Sequence, residues 1–151
     1  MSEQLTPNFT LAEFLASDTA TRKGLQNIPD AKALIAIRTC AAPGMQRVRD
    51  CLGVPISITS GYRSPLVNRA VGSSSTSQHL SGNAVDFKAP AFGTPLEIAR
   101  KLVANKLRIG FDQLIQEGGW VHISWVPTGA RGQVLTAHFS GGAVRYTPGL
   151  D

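Results

Sequence analysis

The chain has 151 residues, 42% of them hydrophobic and 17% charged, and carries a net charge of +5. A chain of that length forms one domain that buries about two-thirds of the surface its unfolded form exposes. No run approaches the ~20 apolar residues that a bilayer demands, so no membrane span and no stable membrane association is expected. The basic residues are scattered (Arg22 and Lys23, Arg47 and Arg49, Arg100 and Lys101). Without a basic run or an aromatic-interleaved stripe, the surplus charge suits an anionic partner other than nucleic acid. The opening Met-Ser-Glu-Gln-Leu-Thr-Pro has no basic stretch followed by an apolar core. It therefore reads as a chain made in the cytoplasm without a secretory signal.

Thr10-Leu11-Ala12-Glu13 opens the first helix, with Thr at the cap and Glu three positions on. Its end is blurred by Ser17, Asp18 and Thr19. Asn27-Ile28-Pro29-Asp30 is a second start signal. From Ala31 to Leu52, Leu34, Ile37, Ala41, Met45, Val48 and Leu52 recur at helical spacing. Pro43 should kink or split that helix, and Gly53 should stop it. Cys40 and Cys51 lie within it. Eleven residues of continuous helix would hold them ~16 Å apart, too far for a disulfide, whereas a hairpin at Pro43-Gly44 would bring them closer; the favoured reading is two buried free thiols.

Val54 to Ser60 is β-branched and alternating, hence a strand. Gly61 to Pro65 is a turn, Pro65 opens a short helix through Val71, and Gly72 to Ser77 is a polar loop. Asn83 to Lys88 alternates as a strand. Thr94-Pro95-Leu96-Glu97 starts a helix that runs to about Asn105. Strand-like pieces follow at 113–116, 120–125, 133–139 and 143–146. Helices early and strands late predict an α+β domain with helices packed on a small, mostly antiparallel sheet.

The chemistry gathers in two pieces. In Ser77-Gln78-His79-Leu80-Ser81-Gly82-Asn83-Ala84-Val85-Asp86, His79 ends a loop, Gly82 permits a tight turn, and the chain enters a strand. Val85 and Phe87 take the core face, which turns Asp86 to the other. In Trp120-Val121-His122-Ile123-Ser124-Trp125, the same alternation puts Trp120, His122 and Ser124 opposite the core. Two histidines and a carboxylate, with a fourth position left for water, form a donor set typical of catalytic zinc. His138 has no matching partner and reads as a structural or surface residue.

Ser60-Gly61-Tyr62-Arg63-Ser64-Pro65, Asn68, Ser77-x-His79-x-x-Gly82-x-Ala84-x-Asp86 and Trp120-Val121-His122 together resemble the zinc D-alanyl-D-alanine carboxypeptidase family. That family shares its fold with the hedgehog signalling domain and includes cell-wall carboxypeptidases, vancomycin-resistance dipeptidases and phage endolysins. The resemblance spans about Phe9 to Ser124. It implies a hedgehog/D,D-peptidase-like fold, a Zn2+ held by His79, Asp86 and His122, and a peptidoglycan peptide as substrate. It gives Arg63 an oxygen-holding role beside the metal, for which paired guanidinium donors are suited. Ser77 matches a substrate-contacting hydroxyl or a loop cap, Trp120 lines the substrate side, and Tyr62 packs under the loop.

The family also needs a carboxylate as general base shortly before the last ligand. Glu117 is the leading candidate, five residues before His122, with Gly118 and Gly119 able to form a bulge that aims it. Asp112 is the weaker one. The expectation is a single, monomeric zinc peptidase domain over 1–151, acting on the wall after holin-type release. It would cut as a D,D-carboxypeptidase or an endopeptidase. The alternative is a non-catalytic zinc-containing wall-binding or virion module of the same fold.

Overall fold

The computed structural model describes residues 2–151. The chain begins with two short paired strands, β1 (Gln4–Thr6) and β2 (Phe9–Thr10), which were not foreseen. Helix α1 (Leu11–Leu15) follows, with the Glu13 carboxylate accepting from the Thr10 amide at 2.7 Å. The blurred stretch after it is a second helix, α2 (Asp18–Lys23). Ser17 caps it by accepting from the Ala20 amide, and Gly24 closes it with a left-handed backbone.

The long helical pattern holds, but its interruption is not a break at Pro43. Helix α3 (Ala31–Ala36), capped by Asp30, runs into a π turn at Ile37–Ala41 and then into α4 (Ala42–Leu52). In the π turn the Ala42 amide bonds to the Ile37 carbonyl, five residues back. A proline in an α-helix drives its ring against the carbonyl four residues before it and leaves that carbonyl without a partner. The wider turn placed just before Pro43 relieves that conflict, so the helix continues past the proline. Cys40 and Cys51 are both free; Cys40 is buried, whereas Cys51 is only half-buried.

Strand β3 (Ser57–Ser60) is shorter than the alternation of 54–60 implied. Helix α5 (Pro65–Ala70), strand β4 (Ala84–Lys88) and helix α6 (Pro95–Ala104) fall where the sequence placed them. The short α7 (Lys106–Ile109) adds a turn beyond Asn105. Strands β5 (Gln113–Gln116), β6 (Val121–Ser124), β7 (Gln133–Ser140) and β8 (Ala143–Pro148) complete a six-stranded sheet in the order β3-β4-β6-β5-β7-β8.

That sheet is antiparallel except at one pair, β5 with β7. The exception follows from the return of the chain. Strand β6 ends beside the start of β5, with Ser124 opposite Gln113. The Gln133 amide bonds the Asp112 carbonyl at 2.9 Å, so β7 enters the other edge of β5 from the same end. One sheet face, carrying Val85, Phe87, Leu114, Val121 and Ile123, packs on the helices over Ile37, Met45, Val48, Ile98 and Leu102. The other face carries Asp86 and His122 and is left for function.

Trp125 continues the core face of β6. Its indole N–H donates to the Ile109 carbonyl at 2.9 Å, and its ring lies flush on Gly44 of α4. A Cβ at Gly44 would sit 2.2 Å from a ring carbon. An alanine in a helix ordinarily gains up to ~1 kcal/mol over glycine. Here that gain is outweighed by overpacking against a buried, rigid indole, which costs about 1–3 kcal/mol. Gly44→Ala should therefore lower stability in a denaturant titration; a stabilised variant would show that the contact is not close.

Candidate metal centre

Strand pairing sets the first two donors side by side. β4 and β6 run antiparallel with Asp86 directly opposite His122, and β3 places Ser60 on the other side of Asp86. The third donor comes from the loop before β4. There the chain turns at Gly82, whose φ of 78° favours glycine and whose missing Cβ would lie 2.6 Å from the Ala33 carbonyl oxygen. That turn returns His79 to the start of the strand.

The donors converge. His79 Nε2 lies 3.2 Å and His122 Nδ1 2.9 Å from Asp86 Oδ1, and the three ligand atoms lie within 4.8 Å of one another. His79, Asp86 and His122 are 2%, 6% and 9% exposed. His79 Nδ1 sits 2.6 Å from the Gly61 carbonyl oxygen. A carbonyl only accepts, so Nδ1 carries a hydrogen and Nε2 is the nitrogen that faces the Asp86 carboxylate, free to ligate a metal through its lone pair. At that distance a cation, either a proton on the ring or a metal ion among the donors, joins the two groups. A backbone carbonyl fixing the tautomer of a ligand histidine is also a common support of metal sites. Burial alone would raise the Asp86 pKa, but the His79 and His122 rings more than offset it and hold the carboxylate ionised, well below the usual range. The donor set, its charge and its orientation fit a zinc ion.

Arg63 borders these donors. Its Nη2 lies 3.3 Å from Asp86 Oδ2, its Nε donates to Ser60 Oγ at 3.2 Å, and its backbone amide bonds the His79 carbonyl at 3.0 Å. Burial lowers its pKa, against the opposing pull of Asp86 and Glu117. Glu117 lines the same cleft. It sits in the tight turn joining β5 to β6, its amide bonded to the Trp120 carbonyl at 3.0 Å and Gly118 left-handed at φ 81°. The two glycines thus make a hairpin turn and not the bulge that the spacing implied. Burial, helped by Asp86, raises the Glu117 pKa against the opposing effects of His122, Trp120 and Arg63.

Ser77 and Trp120 also line the cleft. Ser77 Oγ accepts from the His79 amide at 3.2 Å, which serves the loop as a cap. The Trp120 indole N–H is buried without a hydrogen bond of normal geometry, although its approach to Glu117 is close enough to favour the carboxylate. Tyr62 is buried under the loop, with its hydroxyl donating to the Ile28 carbonyl at 3.3 Å. The Asn68 side chain holds the same loop through the Ser74 carbonyl at 3.0 Å. His138 stays outside the centre, bonded to Thr147 Oγ1 at 2.7 Å and paired with Asp151 at 2.8 Å.

Asp112 is removed as a base candidate. Its two oxygens accept from Arg131 Nε and Nη2 at 3.0 and 2.7 Å, from the Arg131 amide at 2.9 Å, and from Gln78 Nε2 at 3.1 Å. These bonds, Arg131 foremost, lower its pKa to about 2 against its burial. Asp112 thereby ties the His79 loop to the entry of β7. Gln78 and Arg131 carried no sequence signal, since their partner lies 34 and 19 residues away. The cleft has a volume of about 700 Å3 and is also walled by Ile115, Leu135 and Tyr146.

A buried His-Asp-His centre at the bottom of an open cleft, with a second carboxyl and an arginine beside it, defines a metal-dependent hydrolase. Residues 7–124 match the family described as Peptidase M15. The chain belongs to that family and is a zinc metallopeptidase. No curated protein matches the chain.

Two outcomes check the assignment of the carboxylates. Asp86→Ala should abolish stoichiometric zinc by metal analysis, while Asp112→Ala should retain it; equal loss would mean that Asp112 serves the metal. Asp112, with its pKa depressed from 3.8 to about 2, stabilises the fold fully above about pH 4. That contribution disappears as pH falls from about 4 to about 2. Asp112→Asn should flatten this part of the acid-unfolding curve; an unchanged curve would show that the ion pair is not formed in solution.

Proposed function

We propose that the chain hydrolyses a peptide bond in the stem peptide or cross-link of peptidoglycan. The carrying observation is that Glu117 and Arg63 line one cleft with His79, Asp86 and His122. The His-to-Asp motif and Ser60-Gly61-Tyr62-Arg63 resemble those of enzymes that act on that polymer. The net charge of +5 favours approach to an anionic wall. Release by a holin-type exit and action as a monomer belong to this reading.

A zinc ion held by the three donors would supply a Lewis acid that polarises the scissile carbonyl and lowers the pKa of water. Glu117, its proton affinity raised by burial, takes the proton of the attacking water and returns it to the leaving amine. Arg63 turns its donors to the substrate oxygen that gains charge, and Asp86 and Ser60 hold the guanidinium in place. Ser77 and Trp120, which line the same cleft, contact the peptide. Removal of either Glu117 or Arg63 would leave the donors intact, which separates catalysis from metal binding.

Glu117→Gln should keep zinc and fold stability while lowering turnover by ~10²-fold or more. Arg63→Lys keeps the charge but loses paired donors, so KM should rise as the rate falls. The direct test is mass analysis of products from purified peptidoglycan fragments, with and without a chelator. Chelator-sensitive release of a peptide or amino acid supports the reading; intact fragments would overturn it. Near-normal turnover by Glu117→Gln would show that another group moves the proton.

A further inference from the structure

The hairpin formed by β7 and β8 lies outside the stretch that matches the family, which ends at residue 124. It is nonetheless part of the catalytic face. In the sheet register, His122 pairs with Ile115, Ile115 with Leu135 and Leu135 with Pro148, so one row of side chains runs from the metal donors to the last strand. Alternation then puts Ala137 and Phe139 of β7, and Val144 and Tyr146 of β8, on that same face. Phe139 pairs with Val144 and Ala137 with Tyr146. The Arg145, His138 and Thr147 side chains take the opposite face.

The result is an apolar shelf that begins at the metal cleft and extends outward. Leu135 and Tyr146 line the cleft itself. Trp120, at the rim of the centre, packs on Phe139 with ring centroids 6.3 Å apart. Tyr146 is close enough to Glu117 and Asp86 for their charges to reinforce burial in raising its phenol pKa. Yet Phe139, Val144 and Tyr146 remain 59%, 44% and 48% exposed. Contiguous exposed apolar surface running out of a binding cleft marks a contact site. Continuity with the cleft identifies its occupant as the part of the substrate that continues beyond the scissile bond.

Building on the peptidoglycan reading, we propose that this shelf is a subsite for an uncharged peptide arm bearing small aliphatic side chains, and that Phe139 and Tyr146 determine substrate preference. The chemistry of the shelf favours peptide over sugar. Among its exposed side chains Tyr146 alone offers a hydroxyl; Gln133, at the start of β7, shares the face but is half-buried and bonded to Gln113, and the Arg145, His138 and Thr147 side chains project from the other face, where they cannot meet the hydroxyls of a glycan. Methyl and methylene groups lose no hydrogen bonds on such a surface.

The test compares Phe139→Thr, Tyr146→Thr and Arg145→Ala, the last a control on the opposite face; threonine preserves strand preference. Zinc content and thermal unfolding establish that each variant is folded. The shelf variants should raise KM for a sugar-free stem peptide about fivefold or more while kcat changes little, as for loss of an aromatic contact. They should also weaken binding of that peptide to zinc-loaded Glu117→Gln protein, measured by calorimetry, by a similar factor. Arg145→Ala should alter neither. Unchanged KM and binding in the shelf variants would overturn the proposal. So would an effect seen only when the sugars are retained, which would make the shelf a glycan site. Absence of any cleavage by the unmutated protein would instead sink the peptidoglycan reading, and the binding measurement would still decide the shelf.

Discussion

The metal centre depends on one strand register. Asp86 faces His122 because β4 and β6 pair without a shift over Ala84–Phe87. A slip by one residue would turn Val85 and Phe87 into the cleft and bury Asp86 among the helices. The apolar residues guard against it: Val85, Phe87, Val121 and Ile123 are fully buried, so a slip of β4 would expose two of them and leave a carboxylate in the core. The hydrophobic effect thus specifies the position of the charged group. The cost of bringing Asp86 ionised into a nearly dry site is offset by the two histidine nitrogens and Arg63 around it.

The third donor is held by a different device, close backbone approach. Gly61 presses on the Phe14 backbone of α1, where a Cβ would lie 2.5 Å from the Phe14 carbonyl oxygen, and offers its own carbonyl to His79. Gly82 presses on the Ala33 carbonyl of α3. The early helices therefore do more than cover the sheet. They fix two glycine contacts from which the histidine loop is hung, and the π turn next to Ala33 lets α3 and α4 pack as one continuous support past Pro43.

Legibility in the sequence followed the range of the interaction. Alternation in 84–88 and 121–125 is local, and it placed Asp86 and His122 on the non-core face correctly. Capping at Thr94 and Asp30 is local and was readable too. The turn signal at Gly82 had already joined His79 to them, and the resemblance supplied Arg63, which periodicity could not have joined to the other three. What stayed hidden was long-range or cooperative. The Arg131–Asp112–Gln78 cluster joins three distant segments, and its absence from the sequence reading let Asp112 stand as a candidate base. The π turn depends on how Pro43 is accommodated, a choice that propensity leaves open between a kink, a break and a wider turn. The parallel pairing of β7 was hidden for the same reason, since it follows from where Asp112 grips the returning chain.

These two kinds of information divide the molecule along its length. The three candidate metal donors, at positions 79, 86 and 122, and the two groups to which the proposed mechanism gives the remaining chemistry, Arg63 and Glu117, all lie within the stretch that matches the family. The cleft wall contributed from beyond it, by Arg131, Leu135 and Tyr146, holds no metal donor. Yet the two parts share one continuous sheet, because β7 adds to the free edge of β5 and so carries the row from His122 through Ile115 into the hairpin. Changes in the hairpin can therefore reshape the cleft without moving the register that makes the metal site. Trp120 and Phe139 set the limit of that independence: their contact couples the hairpin to the turn that carries Glu117, so a repacked hairpin remains harmless to catalysis only while it leaves that turn in place.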